Sequence, residues 1–468
     1  MIKRNIILVV FFLLVSVACD DQLDVQPQQS IESDKALSNP ENVISTLRGA
    51  YQSARSRWLF GSQFNEYSEL LASSGDLMFV GSHKEPQQFM AKEINVTNSY
   101  VENTWDVGYE TINILNTVKS AIDVLDDSEQ DRVLGEVLFL RGWLYFNMVR
   151  LWGLPYEPGQ TNDQPGVPLV LDATLSSEDA IEVERASVHQ CYEQIISDLK
   201  QARDLLPAQN GVYANTYAAS AILSRVYLQQ SKFELAATEA NRVIEEGGFS
   251  LVNTPHNEYN NESNTSEDIF AFQNSLTDNT IWLTQRYASL NGMGRGDYQM
   301  SEDFFSLFNS GDLRGQIQQE TYDSYTYEDI DRMYYIGVGP IRSGGINTYK
   351  YGNYYAVIPS IRLAEMYLTR AEANHQISSQ VGPNTPTQDI NTVRSRASAE
   401  PLPASVTTKQ IRNERYRELC WEGFRLHDLK RWKKDIAGYS YDAGNLILPI
   451  PAAELEVNDK LEQNPYYK

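Results

Sequence analysis

Residues 411–432 read IRNERYRELCWEGFRLHDLKRW. Apolar Ile411, Leu419, Leu429 and Trp432 are interleaved there with opposite charges three and four places apart, a pattern that predicts a helix. On it Arg415 should face Glu418, Glu422 should face Arg425, and Asp428 should face Arg431. Glu418 and Glu422 stand one turn apart and are the one carboxylate pair that invites comparison with a glycoside hydrolase. Flanking arginines lower carboxyl pKa values, whereas a general acid needs one raised, so the pair reads as structural and the chain as a non-enzyme.

Working outward, the preceding segments repeat one helical pattern. Ser220 to Tyr227, followed by Ala236, Ala240 and Val243, carries the Leu, Tyr and Ala offsets of a tetratricopeptide hairpin. A small residue followed three places later by Tyr recurs at Gly142 with Tyr145, Ser224 with Tyr227, and Ala364 with Tyr367. The small residue lets a partner helix approach and the Tyr fills the groove one turn on. Leu140, Trp143, Leu144, Met148 and Leu151 form a buried stripe that Gly153 and Pro155 end, and Trp105 to Val118 forms the stripe before it. Helices resume at Ile361 to Asn374. The expected fold is therefore mostly α, a TPR-like helical-hairpin scaffold.

Between 252 and 358 helical periodicity weakens and Gly and aromatic residues crowd together, from Trp282, Tyr287 and Tyr298 through Tyr322, Tyr334 and Tyr355. An irregular, aromatic-rich loop region on a rigid frame is where a binding surface is expected. An oligosaccharide offers hydroxyl edges and apolar faces, and rings with only two side-chain torsions cost little to hold still against it. Trp282, Tyr287 and Tyr298 are the first candidates.

The N-terminus runs from Lys3 and Arg4 through an apolar stretch, Ile6 to Val15, to Ala18 and Cys19. That layout is a secretory signal, too short for a membrane span, with Cys19 placed to become an acylated first residue. Asp20 and Asp21 follow it directly, like an acidic signal that sends lipoproteins to the outer face. Cys191 and Cys420 are then left, expected as two small buried thiols with one bridge as the lesser alternative. A formal charge of −23 opposes non-specific nucleic-acid binding. The five His residues show no ligand spacing and no nucleophile or dinucleotide motif occurs, so neither a metal nor a cofactor is expected.

The 411–432 stretch, with Leu448-Pro449-Ile450-Pro451, Glu454 and Asn464-Pro465, resembles the C-terminal signature of SusD/RagB-type nutrient-binding lipoproteins. The likeness extends through Ile361 to Ala373, Phe139 to Phe146 and Trp152 to Pro155, back to the lipidated start. It implies a signal peptide at 1–18, a lipid-anchored tether at 19–40 and an N-terminal helical part at 41–251. A variable, ligand-binding loop region at 252–358 follows, and 359–468 packs on the same single domain. It further implies an outer-membrane, surface-exposed protein that delivers oligosaccharide, or peptide in some members, to a SusC-like TonB-dependent transporter. Because the corresponding stretch of the family lines the pocket, Asp76, Phe79, His83 and Phe89 are expected as a second wall. A peptide-binding uptake protein and an α-helical glycoside hydrolase remain the alternatives at this point.

Overall fold

The computed structural model describes residues 37–468 except 177, 178, 180, 321–324, 378 and 404. The expected signal peptide, the lipidation of Cys19, most of the tether and Tyr322 lie outside the described residues.

Helices dominate. In chain order they are α1 (Pro40–Ala54), α2 (Gln63–Ala72), α3 (Lys84–Ala91), α4 (Ser99–Ser120), α5 (Asp127–Trp152), α6 (Val188–Leu205), α7 (Thr216–Gln229), α8 (Phe233–Glu246), α9 (Trp282–Tyr287), α10 (Leu363–Gln376), α11 (Pro386–Arg396), α12 (Thr408–Leu419), α13 (Arg425–Arg431) and α14 (Ala452–Val457). Short strands lie among them: β1 (Leu77–Phe79), β2 (Pro165–Pro168), β3 (Arg185–Ser187), β4 (Asp268–Phe272), β5 (Tyr298–Met300), β6 (Ile317–Gln318), β7 (Tyr334–Val338), β8 (Ser343–Thr348) and β9 (Ile358–Arg362). One sheet has the order β1-β5-β8-β7-β6, antiparallel except where β6 meets β7. β4 pairs with β9, placing Asp268 opposite Arg362.

The mostly helical scaffold is as the periodicity predicts. α5 packs along α6, α7 on α8, α8 on α10, and α10 on α11 and α12. The α7–α8 hairpin turns through Ser231, which holds a left-handed φ of 57°. Side chains satisfy the orphan N–H groups at several helix starts: Asn39 for α1, Asn98 for α4, and the capping boxes Ser187/Gln190, Thr385/Gln388 and Thr407/Gln410 for α6, α11 and α12.

α5 is 26 residues long and buried on nearly every side from Val133 onward, so only small residues let a neighbour approach. A Cβ added at Gly142 would stand 3.0 Å from Leu199 Cγ, and one at Gly135 would stand 2.8 Å from Leu206 Cγ. Beside Gly142, Arg141 donates Nε and Nη2 to the two Asp198 oxygens, both at 2.8 Å, locking α5 to α6. The same helix end receives the C-terminus. Trp152 Nε1 donates to the Pro449 carbonyl at 2.9 Å, and Asn464 Nδ2 donates to the carbonyls of Trp152 and Leu448 at 2.9 and 2.7 Å. The Pro-Ile-Pro and Asn-Pro segments thus act as a clasp. Cys191 and Cys420 are buried free thiols.

The 411–432 stretch is two helices, not one. Trp421 and Gly423 take left-handed φ values of 67° and 82°, and this break re-aims the charges. Only the Asp428–Arg431 pair forms as the spacing predicts, at 2.9 Å. Arg415 pairs instead with Asp428 at 2.9 Å, because Glu418 points inward from α12. Glu422 binds Lys350 and Arg362, leaving Arg425 to stack on the Tyr416 ring at 3.6 Å. Glu418 is the centre of a buried cage. Arg314 Nη1 reaches it at 3.1 Å, Arg362 Nη1 at 3.2 Å, and Arg396 closely, while Glu414 and Glu267 occupy the remaining edges of the same arginines.

The break is held from α2. Gly423 N–H donates to Glu69 Oε1 at 2.8 Å, inside the protein. Burial pushes the Glu69 carboxyl up to about 8, and nearby Asp76 adds to the rise against the Gly423 bond. A carboxyl raised in the folded state gives stability that is complete below its unfolded value of 4.5 and is lost as pH rises through about 8. The Glu69→Gln variant keeps the acceptor for Gly423 but cannot ionise. Its melting temperature relative to wild type is expected to climb across that window. A constant difference between the two curves would show that Glu69 is ionised throughout.

Candidate ligand-binding face

The turn joining α1 to α2 carries Arg57 and Trp58, and the loop after β4 ends at Trp282, the first residue of α9. All three are half-buried. The Arg57 guanidinium lies 3.5 Å from the Trp282 ring centroid and 4.0 Å from that of Trp58, so the cation touches both indoles. Trp58 meets the Tyr100 ring edge-on at 5.5 Å. Flat rings with a charge held against them are fixed in place, and fixed rings lose little entropy on contact with a ligand.

Beneath the rings is a buried polar foundation. Arg286, on the inner side of α9, donates Nη1 to Asp297 at 2.8 Å and Nη2 to Tyr100 Oη at 2.7 Å. Asp297 also binds Arg295 Nε at 3.1 Å and the Arg342 guanidinium, so one fully buried carboxylate gathers three cations. Glu66 completes the layer by accepting from Tyr298 Oη and Ser62 Oγ. The glycines at 292, 294 and 296 turn the chain from α9 back to Asp297, each at positive φ.

Of the expected site residues, Trp282 stands half-buried on this face. His83 is half-buried near the foundation, where burial and then the charges of Arg286 and Arg295 hold its imidazole below its ordinary value. Phe79 is half-buried beside Tyr298, its register partner between β1 and β5, with ring centroids 5.6 Å apart. Three others are core residues, which corrects the expectation that they present rings to a ligand. Tyr287 is fully buried, donating to Asn65 Oδ1 at 2.9 Å with its ring against Tyr298 and Tyr351. Tyr298 is likewise fully buried, and Phe89 is buried edge-on to Tyr67 at 4.9 Å. Asp76 is half-buried and serves its own turn, accepting from Ser74 N and Leu77 N at 3.1 and 3.2 Å and from the Tyr416 hydroxyl. Its oxygens are therefore already engaged.

Arg57, Trp58, Arg295 and Arg342 are the residues that sequence reasoning passed over. The adjacent Arg57-Trp58 pair in a helix-breaking stretch that reaches Gly61 is the one signal that could have drawn attention to them. Among the described residues no group of three or more His, Cys, Asp and Glu side chains is placed to hold a metal ion. No helix among them is long and apolar enough to cross a membrane. The tempting carboxylates do not form an acid–base pair. Burial would raise Glu418, but Arg396, Arg362 and Arg314 override it and hold the carboxyl far below the usual range. Glu422 is lowered too, where Arg362 and Lys350 outweigh the same effect of burial.

This helical frame with an aromatic face over a buried ionic layer defines a class. Residues 21–228 match a family model described as starch-binding associating with outer membrane, and residues 307–446 match the SusD family model. The chain is 27% identical to SusD-like protein P2 of Formosa agariphila, over 99% of this chain and all of that one. It is 37% identical to the starch-binding protein SusD of Bacteroides thetaiotaomicron over 124 residues, 24% of this chain and 22% of that one. Among solved structures, a SusD superfamily protein from Bacteroides thetaiotaomicron superposes with TM-score 0.78 at 23% identity, over 91% of this chain and all of that one. A putative sugar binding protein from Bacteroides vulgatus superposes with TM-score 0.76 at 25% identity, over 92% of this chain and all of that one. The chain belongs to the SusD/RagB family.

Proposed function

We propose that this protein is a surface lipoprotein, anchored through Cys19, that captures saccharide on the Trp282 face and delivers it to a SusC-like TonB-dependent outer-membrane transporter. The half-buried indole of Trp282, fixed by Arg57 over a buried ionic layer, carries the reading. It offers a flat apolar surface with hydrogen-bond donors beside it, the pairing that a sugar's face and hydroxyl edge require. His83 and Phe79 extend the face. The sugar- and starch-binding descriptions of the matched relatives support the choice of cargo, and the outer-membrane description of the family model supports the location. The starch- and sugar-binding descriptions of the relatives support binding without turnover.

Calorimetric titration against a glycan panel beside a peptide panel tests it. An oligosaccharide is expected to bind saturably and to be recovered intact. The Trp282→Ala variant is expected to weaken binding by about tenfold or more, the size of effect an anchoring aromatic supplies. Unchanged affinity in that variant rejects the face. Binding confined to the peptide panel replaces the cargo and leaves the uptake role in place.

A further inference from the structure

We infer that a second saccharide site lies in the groove between α1 and β4, separate from the Trp282 face; the cargo class rests on the function proposed above. The groove has a volume of about 360 Å³, inside the range of roughly 300–1,000 Å³ typical of small-ligand sites. Its floor is β4, where Phe270 and Phe272 are core rings that only back the groove, and the accessible apolar surface comes from the half-buried Tyr213 and exposed Val212 on one wall. The opposite wall is the outward side of α1, where Ser45, Arg48 and Gln52 present a hydroxyl, a guanidinium and an amide. An aromatic wall at Tyr213 facing mixed donors and acceptors on α1 suits a pyranose ring laid against Tyr213 with its hydroxyls toward α1.

The walls are rigid. Arg55, at the end of α1, donates to the Asp278 carbonyl at 2.9 Å and also to its carboxylate and to the Gln273 carbonyl. Gln52 Nε2 reaches the Asp278 carboxylate at 3.2 Å. Tyr213 is held by the Tyr51 ring at 5.0 Å, and Tyr51 Oη accepts from Ala214 N–H at 3.1 Å. A site held in shape before the ligand arrives avoids the ordering cost of binding.

Gly49 is the independent observation. It sits within α1 and lines the groove, where glycine costs about 1 kcal/mol relative to alanine in a helix. Elsewhere in helices of this protein glycine serves close packing, as at Gly142, but a Cβ added at Gly49 meets nothing within 4 Å. No neighbour requires the missing side chain, and its absence keeps the groove open. The groove and the Trp282 face flank the same two segments, since Arg55 and Asp278 serve one and Arg57 and Trp282 the other.

Saturation-transfer NMR on the mature chain with glucose, galactose, mannose, xylose and glucuronic acid, and with linear oligosaccharides, tests the inference. Trp282→Ala is expected to keep a monosaccharide signal that Gly49→Trp abolishes and Tyr213→Ala reduces severalfold. A folded Gly49→Trp protein with the wild-type signal overturns the site. Should that variant misfold, an undiminished signal in Tyr213→Ala does the same. A monosaccharide signal lost in Trp282→Ala but intact in both groove variants overturns the second site alone. Silence of the wild type toward every saccharide overturns the proposed cargo as well.

Discussion

Glu418→Ala is expected to abolish cooperative folding of the chain. The side chain is 2% exposed and faces three guanidinium groups, those of Arg314, Arg362 and Arg396. Lys350 adds a fourth cation, donating to the Glu418 backbone carbonyl at 3.0 Å. Removing one partner of a single buried ion pair costs about 3–5 kcal/mol, because an uncompensated charge stays behind without water. Here one carboxylate serves several cations, and Glu267 and Glu414 are already shared among the same arginines. The loss therefore approaches the whole stability of a typical domain, roughly 5–15 kcal/mol. Glu418→Gln, which keeps the shape and a carbonyl acceptor, should be damaged almost as much because the charge is what the cage lacks. Replacing Arg396 and Glu418 together with methionine and leucine should recover part of the loss, since an apolar pair carries no desolvation cost. Circular-dichroism melts of the four proteins decide the matter. A Glu418→Ala protein that melts with the wild type would mean that water or a rearranged Glu422 satisfies the cage.

The cage also marks what the sequence could and could not show. Gly142 and Tyr145 were readable because helical spacing alone places them on the side where α6 arrives, and the close approach of Leu199 to Gly142 follows from that side being small. The helical character of 411–432 was readable for the same local reason. Apart from Asp428 with Arg431, its ion pairs were not, because Glu418 finds Arg314 at a separation of 104 residues and no spacing rule reaches that far. A left-handed residue at Trp421 added a second obstacle: glycine at 423 signals a stop, whereas tryptophan two places earlier does not. In the aromatic region the difficulty is of another kind. Tyr287, Tyr298 and Trp282 lie in one Gly- and Tyr-rich stretch without a sustained period, so composition cannot separate a ring that faces water from one packed on Asn65 or Phe79. The partner of the Trp282 ring, Arg57, comes from a turn more than two hundred positions away, and only the folded chain brings them together.

The glycine turn beneath that face gives the sharpest test of how the site is held. Gly292 and Gly294 have nearly the same φ, 73° and 75°. Their surroundings differ. A methyl at Gly292 meets nothing within 4 Å, whereas one at Gly294 falls on the Ala288 carbonyl group. Gly292→Ala should therefore lose only the left-handed penalty, about 1–2 kcal/mol. Gly294→Ala adds a backbone overlap that no rotamer relieves. The same carbonyl of Ala288 accepts from Gly296 N–H at 2.6 Å, and Arg295 N–H is bound to the Gln285 carbonyl at 2.8 Å, so the turn cannot slide without breaking its bonds to α9. Displacing it moves Asp297, and Arg286 then loses its 2.8 Å partner in the layer that supports Trp282. We expect Gly294→Ala to retain most helical signal, because α1–α8 and α10–α13 do not include this turn, yet to melt well below Gly292→Ala and to lose ligand binding. Circular dichroism with titration of both variants separates the two effects. Equal melting points and equal affinities would show that the turn yields easily, and that the ionic layer rather than the glycine fixes the ring.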